Sequence, residues 1–416
     1  MRATLLTIGL AASALLFVGA CRDTSKDLLS PRAEISKATA PPGGCWSISC
    51  SGQTPNFLDI SAGSSVSCAV HAVTRSLLLS GASNLTCWGS NELGMLGVGF
   101  GATTEKCPGP VPIAAGSPPP PNIIPCSTAP VTVAGGRSFN SVSVGVDHVC
   151  AVESGSAAAF CWGRNGYGQL GFAGANTGTP TIPVPGIAFN SVAAGAGVSC
   201  GITTAQALVC WGVGFGATPV EPNPGAQYKS VSVEQSYVCG LDVWGQPCAG
   251  TRIPYSVVGQ ANTARHICQI FSGQTECYGD NSRGQLGLSP RILSLPDYKP
   301  NVILNFTFQS VATGYDHSCA LSGTDAFCWG GNYYGQLGAP SSYPAGIPGK
   351  VQAASGTTLA FTKISIGDQH SCAIANNAVF CWGRNDLGQL GIGNLNLWMP
   401  ANNAIASVTP LRVVGI

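Results

Sequence analysis

Gly314-Tyr-Asp-His317-Ser-Cys319-Ala-Leu-Ser-Gly323-Thr324-Asp-Ala-Phe-Cys328-Trp329-Gly-Gly-Asn332-Tyr333-Tyr334-Gly335-Gln336-Leu337-Gly338 reads as two short strands around a turn, followed by a glycine-punctuated loop. Cys319 and Cys328 are equidistant from Gly323-Thr324, so a hairpin closed on that two-residue turn sets the sulfurs opposite each other, and such turns favour Gly. Counting outward, Ser322/Asp325 is a hydrogen-bonded pair, Leu321/Ala326 is not, Ala320/Phe327 is, and Cys319/Cys328 is not. Non-hydrogen-bonded antiparallel pairs hold their Cα atoms about 4.5 Å apart, at the short end of what a disulfide spans. The spacing predicts a cross-strand disulfide.

The unit recurs. Cys372 and Cys381 flank Asn376-Asn377, Cys268 and Cys277 flank Ser272-Gly273, and Cys239 and Cys248 keep the same spacing. Looser versions are Cys200/Cys210, Cys150/Cys161 and Cys68/Cys87, which brings the hairpins to seven. An aromatic-x-x-β-branched-x-x-Gly strand precedes the hairpin at Phe139, Phe189, Phe308 and Phe361, with close variants at Phe57 and Tyr228. Trp-Gly-x-Asn-x-x-Gly-Gln-Leu-Gly follows it at Trp162–Gly171, Trp329–Gly338 and Trp382–Gly391. Trp88–Gly97 has Met95 for the Gln, and Tyr278–Gly287 has Tyr for the Trp.

A period of roughly 50 residues with several short strands per unit is the signature of a β-propeller. The Gly-x-x-His-x-Cys-Ala and Cys-Trp-Gly-x-Asn-x-x-Gly-Gln-Leu-Gly motifs resemble the repeat of the regulator of chromosome condensation family, and the resemblance implies an all-β, seven-bladed propeller over residues 57–416. The middle departs from the pattern: Cys210-Trp211-Gly212 lacks the Gln-Leu-Gly and Cys248-Ala249-Gly250 lacks the Trp. Six blades plus a degenerate hairpin is the alternative. Thr409–Val414 reads as a last outer strand or as the strand that closes the ring.

Residues 1–20 have the layout of a signal peptide, with Arg2, an apolar run from Leu5 to Val18 and small residues before Cys21. The Val18-Gly19-Ala20-Cys21 ending resembles a bacterial lipobox, which implies cleavage before Cys21 and lipidation of its sulfur. Arg22 follows where an Asp would, by the same resemblance, imply inner-membrane retention. The expected location is therefore the cell envelope, at the outer membrane or cell surface. Residues 21–56 form a polar tether, and residues 98–136 are an insertion containing Pro118–Pro121.

Nineteen cysteines less Cys21 leave eighteen. The seven hairpins use fourteen, and the other four fall into Cys45/Cys50 and Cys107/Cys126. An even count in an exported chain reads as disulfides. Metal binding is the rival, since His148-x-Cys150, His317-x-Cys319 and His370-x-Cys372 look ligand-like. Zinc sites gather about four ligands in space, however, and here each Cys already has a partner, so neither metal nor cofactor is expected.

With 19 basic and 18 acidic residues, no basic stripe marks a nucleic-acid surface. The repeated His reads as a hydrogen-bonding strut, because catalysis needs convergent groups and not copies around a ring. Function then sits in what varies between repeats. The free positions of Asn-x-x-Gly supply Leu93, Tyr167, Arg283, Tyr333, Tyr334 and Leu387, a candidate binding face of residue types favoured at hot spots. The expected function is a non-enzymatic, monomeric, lipid-anchored module binding a protein or glycan. A glycan hydrolase or lyase is the alternative, although no carboxylate pair is marked. Nucleotide exchange, the activity of the family's namesake, does not suit an exported lipoprotein.

Overall fold

The computed structural model describes residues 56–72, 83–103, 105–108, 123–181, 186–233, 237–243, 253–254, 266–288, 294–295, 301–340, 344–354, 357–399 and 404–416. The chain divides after residue 52, and all described residues lie in the second unit, 53–416. Cys21, Cys45, Cys50 and Cys248, with the lipidation and pairings expected of them, lie outside the described residues.

The second unit is an all-β propeller, and every regular element among the described residues is a strand. Those strands form seven antiparallel sheets, each built from consecutive segments. The first runs outward as Phe57–Ala62, Val66–His71, Leu85–Ser90 and Ile124–Thr132, with Lys106–Cys107 at its edge. The second contains Phe139–Val144, His148–Glu153, Ala159–Gly163 and Thr177–Thr181; the third Phe189–Ala194, Val198–Thr203, Leu208–Gly212 and Gly216–Val220. In the fourth are Tyr228–Val233, Tyr237–Asp242 and Ile253–Pro254. The fifth starts at His266–Phe271, which pairs with Gln274–Asp280; that strand in turn carries Ser294–Leu295 and Asn301–Ile303. The sixth has Ser310–Thr313, His317–Ser322, Asp325–Gly330 and Ala345–Lys350. The seventh has Phe361–Ile366, His370–Ala375, Ala378–Arg384, Ala404–Arg412 and, at the edge, Trp398–Met399.

The hairpin register is the one the turn dictates: Ser322 faces Asp325, Leu321 faces Ala326, Ala320 faces Phe327 and Cys319 faces Cys328. Gly323 takes φ +59 at the first turn position, the sign that a II′ turn needs there. Cys319–Cys328 is bonded with Cα atoms 4.1 Å apart. So are Cys68–Cys87, Cys150–Cys161, Cys200–Cys210, Cys268–Cys277 and Cys372–Cys381, at 4.0–4.1 Å. Cys107–Cys126 spans 6.0 Å and links the edge and outer strands of the first sheet, and Cys239 is disulfide-bonded as well.

The inner strands surround a central channel whose narrow end is glycine-lined. A Cβ on Gly367 would lie 2.0 Å from the Gly63 carbonyl oxygen, and one on Gly63 would lie 2.3 Å from that of Gly145. Only glycine permits backbones to approach this closely. On the wider side Lys363 Nζ pairs with Asp59 Oδ1 at 2.5 Å, while Asp59 Oδ2 accepts from Val142 N of the next sheet at 3.0 Å.

Of the two readings of Thr409–Val414 the last outer strand is the one found: Ala404–Arg412 pairs with Ala378–Arg384 of its own repeat, and among the described residues no strand pairing joins it to the first sheet. The first sheet is already complete from local segments, so closure falls to hydrogen bonds between the first and seventh sheets. Ala62 N donates to Ser365 Oγ at 3.0 Å, and Asp368 N to Gly63 O at 3.2 Å.

Candidate functional site

The repeated loop is a self-contained knot. In each copy the Asn side-chain oxygen accepts from the Leu amide five residues on, as at Asn165/Leu170, Asn281/Leu286, Asn332/Leu337 and Asn385/Leu390, over 2.9–3.1 Å. The Gln Oε1 accepts from the amide of the second free position: Tyr167, Arg283, Tyr334 or Leu387, at 2.8–2.9 Å. The glycine after the free pair tucks the loop beneath the outer strand of the following sheet. A Cβ on Gly168, at φ +77, would sit 2.5 Å from the Cα of Ala217.

Each loop then latches the next sheet. The Gln169 carbonyl accepts from Trp211 Nε1 and Ser199 Oγ; Gln285 from Trp329 and Ser318; Gln336 from Trp382 and Ser371; Gln389 from Trp88 and Ser67. The same serines meet the repeated imidazoles. Nε2 of His148, His266, His317 and His370 lies 2.6–3.0 Å from Ser199, Ser318, Ser371 and Ser67 respectively. Since each Ser hydroxyl donates to a Gln carbonyl, it accepts from Nε2–H. The histidines are struts between sheets, as the repetition implied.

The serine half of the strut escaped the sequence reading, although its signal was present. Where a repeat has His, the next has Ser before its first Cys: His148 with Ser199, His266 with Ser318, His317 with Ser371. Where a repeat has Val66 or Val198, the next has Val149 or Val238. Polar meets polar and apolar meets apolar, as buried groups must.

This architecture redistributes the candidate face. In four of the five loops the second free position, Leu93, Tyr167, Tyr334 or Leu387, packs inward as a wedge, whereas Arg283 at the same position stays exposed. Leu387 is 6% exposed and packs with Cys107, Ile124 and Cys126 on the outer and edge strands of the first sheet, so it offers nothing to a partner. Leu93 is half-buried against the core shared by the first two sheets. Tyr167 packs beside Gly197 and Val213 of the third sheet, with Arg164 over its ring at 5.3 Å. Tyr334 lies under Arg384 at 5.2 Å and edge-on to Tyr333 at 4.9 Å. Arg283 is exposed and Tyr333 half-exposed.

The charges beside these rings are paired. Arg384 binds Asp386 at 2.6 and 2.8 Å and Gln369 at 2.7 Å. Arg164, still 45% exposed, stands 3.6 Å from Asp147. Burial would raise the Asp147 pKa, but the hydrogen bond and charge of His148, with Gln169 and Arg164, hold it below the usual range. Burial pushes the pKa of the Tyr334 hydroxyl up. Among the described residues no three His, Cys, Asp or Glu side chains gather as a metal site.

The family model of the regulator of chromosome condensation (RCC1) repeat matches residues 325–374, and a second model of that repeat matches 308–336 and 361–389. The chain is similar to the ultraviolet-B receptor UVR8 of Arabidopsis thaliana, at 27% identity over 379 residues, covering 81% of this chain and 79% of that protein. It also resembles the probable E3 ubiquitin-protein ligase HERC6 of Homo sapiens, at 32% identity over 154 residues. That match spans 36% of this chain and only 15% of the ligase. Among solved structures, Prp20p from Saccharomyces cerevisiae aligns with TM-score 0.60 at 18% identity, covering 79% of this chain and 85% of that one. Human WBSCR16 aligns at 0.59 and 19%, covering 79% and 92%. Both likenesses show the fold.

Proposed function

Because this chain belongs to the regulator of chromosome condensation (RCC1) repeat family, we propose that it is a non-enzymatic binding module: a seven-bladed ring whose loop face engages a protein. One observation carries this reading. The repeated polar groups are engaged in latches within the ring, and the loop face presents side chains of the Tyr and Arg types that anchor interfaces. Tyr333, Arg283 and Arg164 are its accessible members. The similar protein Prp20p is described by its binding to Gsp1p and histones, which is consistent with a propeller face built for association.

The test compares the parent with a Tyr333→Ala/Arg283→Ala variant in capture from envelope extracts. Loss of two hot-spot side chains is expected to weaken the partner at least about 30-fold, at roughly 2 kcal/mol for one good anchor, with the thermal transition unmoved. A partner retained equally by both proteins would remove this face from consideration.

The proposal includes lipid anchoring at Cys21 at the outer membrane or cell surface, supported by the apolar run and the small-small-Cys ending. Cys21→Ser is expected to shift the protein from the membrane pellet to the soluble fraction; retention in the pellet would count against the anchor.

A further inference from the structure

In six of the sheets the strand bearing the first hairpin cysteine is covered on its channel side by an inner strand. The register sets Ser61 opposite Cys68, Ser143 opposite Cys150, Ala193 opposite Cys200, Ser232 opposite Cys239, Ala312 opposite Cys319 and Ser365 opposite Cys372. The fifth sheet is different. Among the described residues no strand lies inside His266–Phe271, and Cys268 lines the central cavity of about 370 Å³ directly. It is 8% exposed, whereas Cys68, Cys150, Cys200, Cys319 and Cys372 are 0%. Cys239, at 7%, has Ser232 across from it and is not among the described cavity-lining residues.

Among the described residues the same sector carries the fewest of these latches. Val198 has no imidazole to offer the fourth sheet, Val238 no hydroxyl to receive one, and Ile267 none for the fifth. Trp211-Gly212 is not followed by Gln-Leu-Gly, so the third repeat lacks the loop whose carbonyl fastens the next sheet elsewhere. Local opening is drawn from such sparsely bonded regions.

We infer that Cys268–Cys277 is a thiol–disulfide exchange site, reached through the central cavity and reduced by dithiols while the other hairpin disulfides of the native ring stay intact. A thiolate of the dithiol attacks Sγ of Cys268, and the Cys268–Cys277 bond breaks with Cys277 leaving as thiolate. The second thiol of the reductant then displaces Cys268 from the mixed disulfide. Two electrons and two protons pass to the protein, and the reductant departs as its cyclic disulfide.

Oxidised full-length protein, treated with graded dithiothreitol under native conditions, alkylated and digested, gives the order of reduction by peptide mass spectrometry. Cys268 and Cys277 are expected to label at about tenfold lower dithiothreitol than Cys319 and Cys328, because exchange tracks access and local opening. A Cys268→Ser/Cys277→Ser variant should lose that first step and keep the later ones. Prior labelling of Cys239 or of any fully covered pair, or simultaneous labelling of all pairs, would overturn the assignment. The order in the parent decides the matter even if the double variant folds poorly.

Discussion

Acidification from pH 6.5 towards 3 is expected to unfold this protein steeply, through His266 and His370. Burial, reinforced by the charge of nearby His317, lowers both imidazole pKa values to about 3. The strut geometry supplies the structural reason. Nε2–H donates to a serine whose own hydrogen is committed to a Gln carbonyl, and Nδ1 of each ring is buried without a partner. An imidazolium would place an unsatisfied N–H in the core. The folded pKa is depressed, so the full stability is present above the unfolded value of 6.5 and is lost as pH falls through the window to about 3. Each ring contributes a slope of about 1.4 kcal/mol per pH unit there. Asp368 acts in the opposite sense: burial raises its pKa, so the folded state takes up that proton first and acid relieves its cost. Denaturant unfolding across this pH range measures the slope, and His370→Gln should reduce it by about 1.4 kcal/mol per unit. A stability that is flat from 6.5 to 4.5 would refute the neutral-strut account.

Trp382→Ala is expected to cost about 3–5 kcal/mol. The indole is fully buried between the sixth and seventh sheets, among Leu337, Val351, Phe361 and Ile364, with its ring T-shaped to Phe361 at 6.3 Å. Its Nε1 donates to Gln336 O at 2.9 Å. Trp382→Phe keeps most of the apolar volume and removes the N–H, while Ser371 Oγ still donates to that carbonyl at 3.0 Å. The Phe variant should therefore lose only about 1–2 kcal/mol. Equilibrium unfolding of the two variants separates packing from hydrogen bonding. Equal losses would show that the latch, and not the filled space, holds the sheets together.

The hairpins are legible in the chain alone. Cysteines spaced symmetrically about a two-residue turn have one antiparallel register available, and a side-chain period of two leaves no slack. The same local logic made the Asn-x-x-Gly-Gln-Leu-Gly loop readable, because its Asn and Gln side chains bond within the loop. What local spacing could not decide is which repeat touches which, and that is where the latches are. His370 meets Ser67 across 303 residues; both residues are plain in the sequence, but only closure of the ring makes them neighbours. Leu387 follows the same rule. Its position in the loop is identical to that of Tyr334, yet it is buried because Cys107 and Cys126 on the outer and edge strands of the first sheet lie against it. Access to Cys268 is likewise a property of the ring, since spacing within its hairpin matches that of Cys319, yet among the described residues Cys268 lines the central cavity and Cys319 does not. Turn-closed pairs cost little loop entropy and are encoded where they form, whereas inter-blade contacts and access to the channel depend on surfaces that exist only once the sheets have assembled.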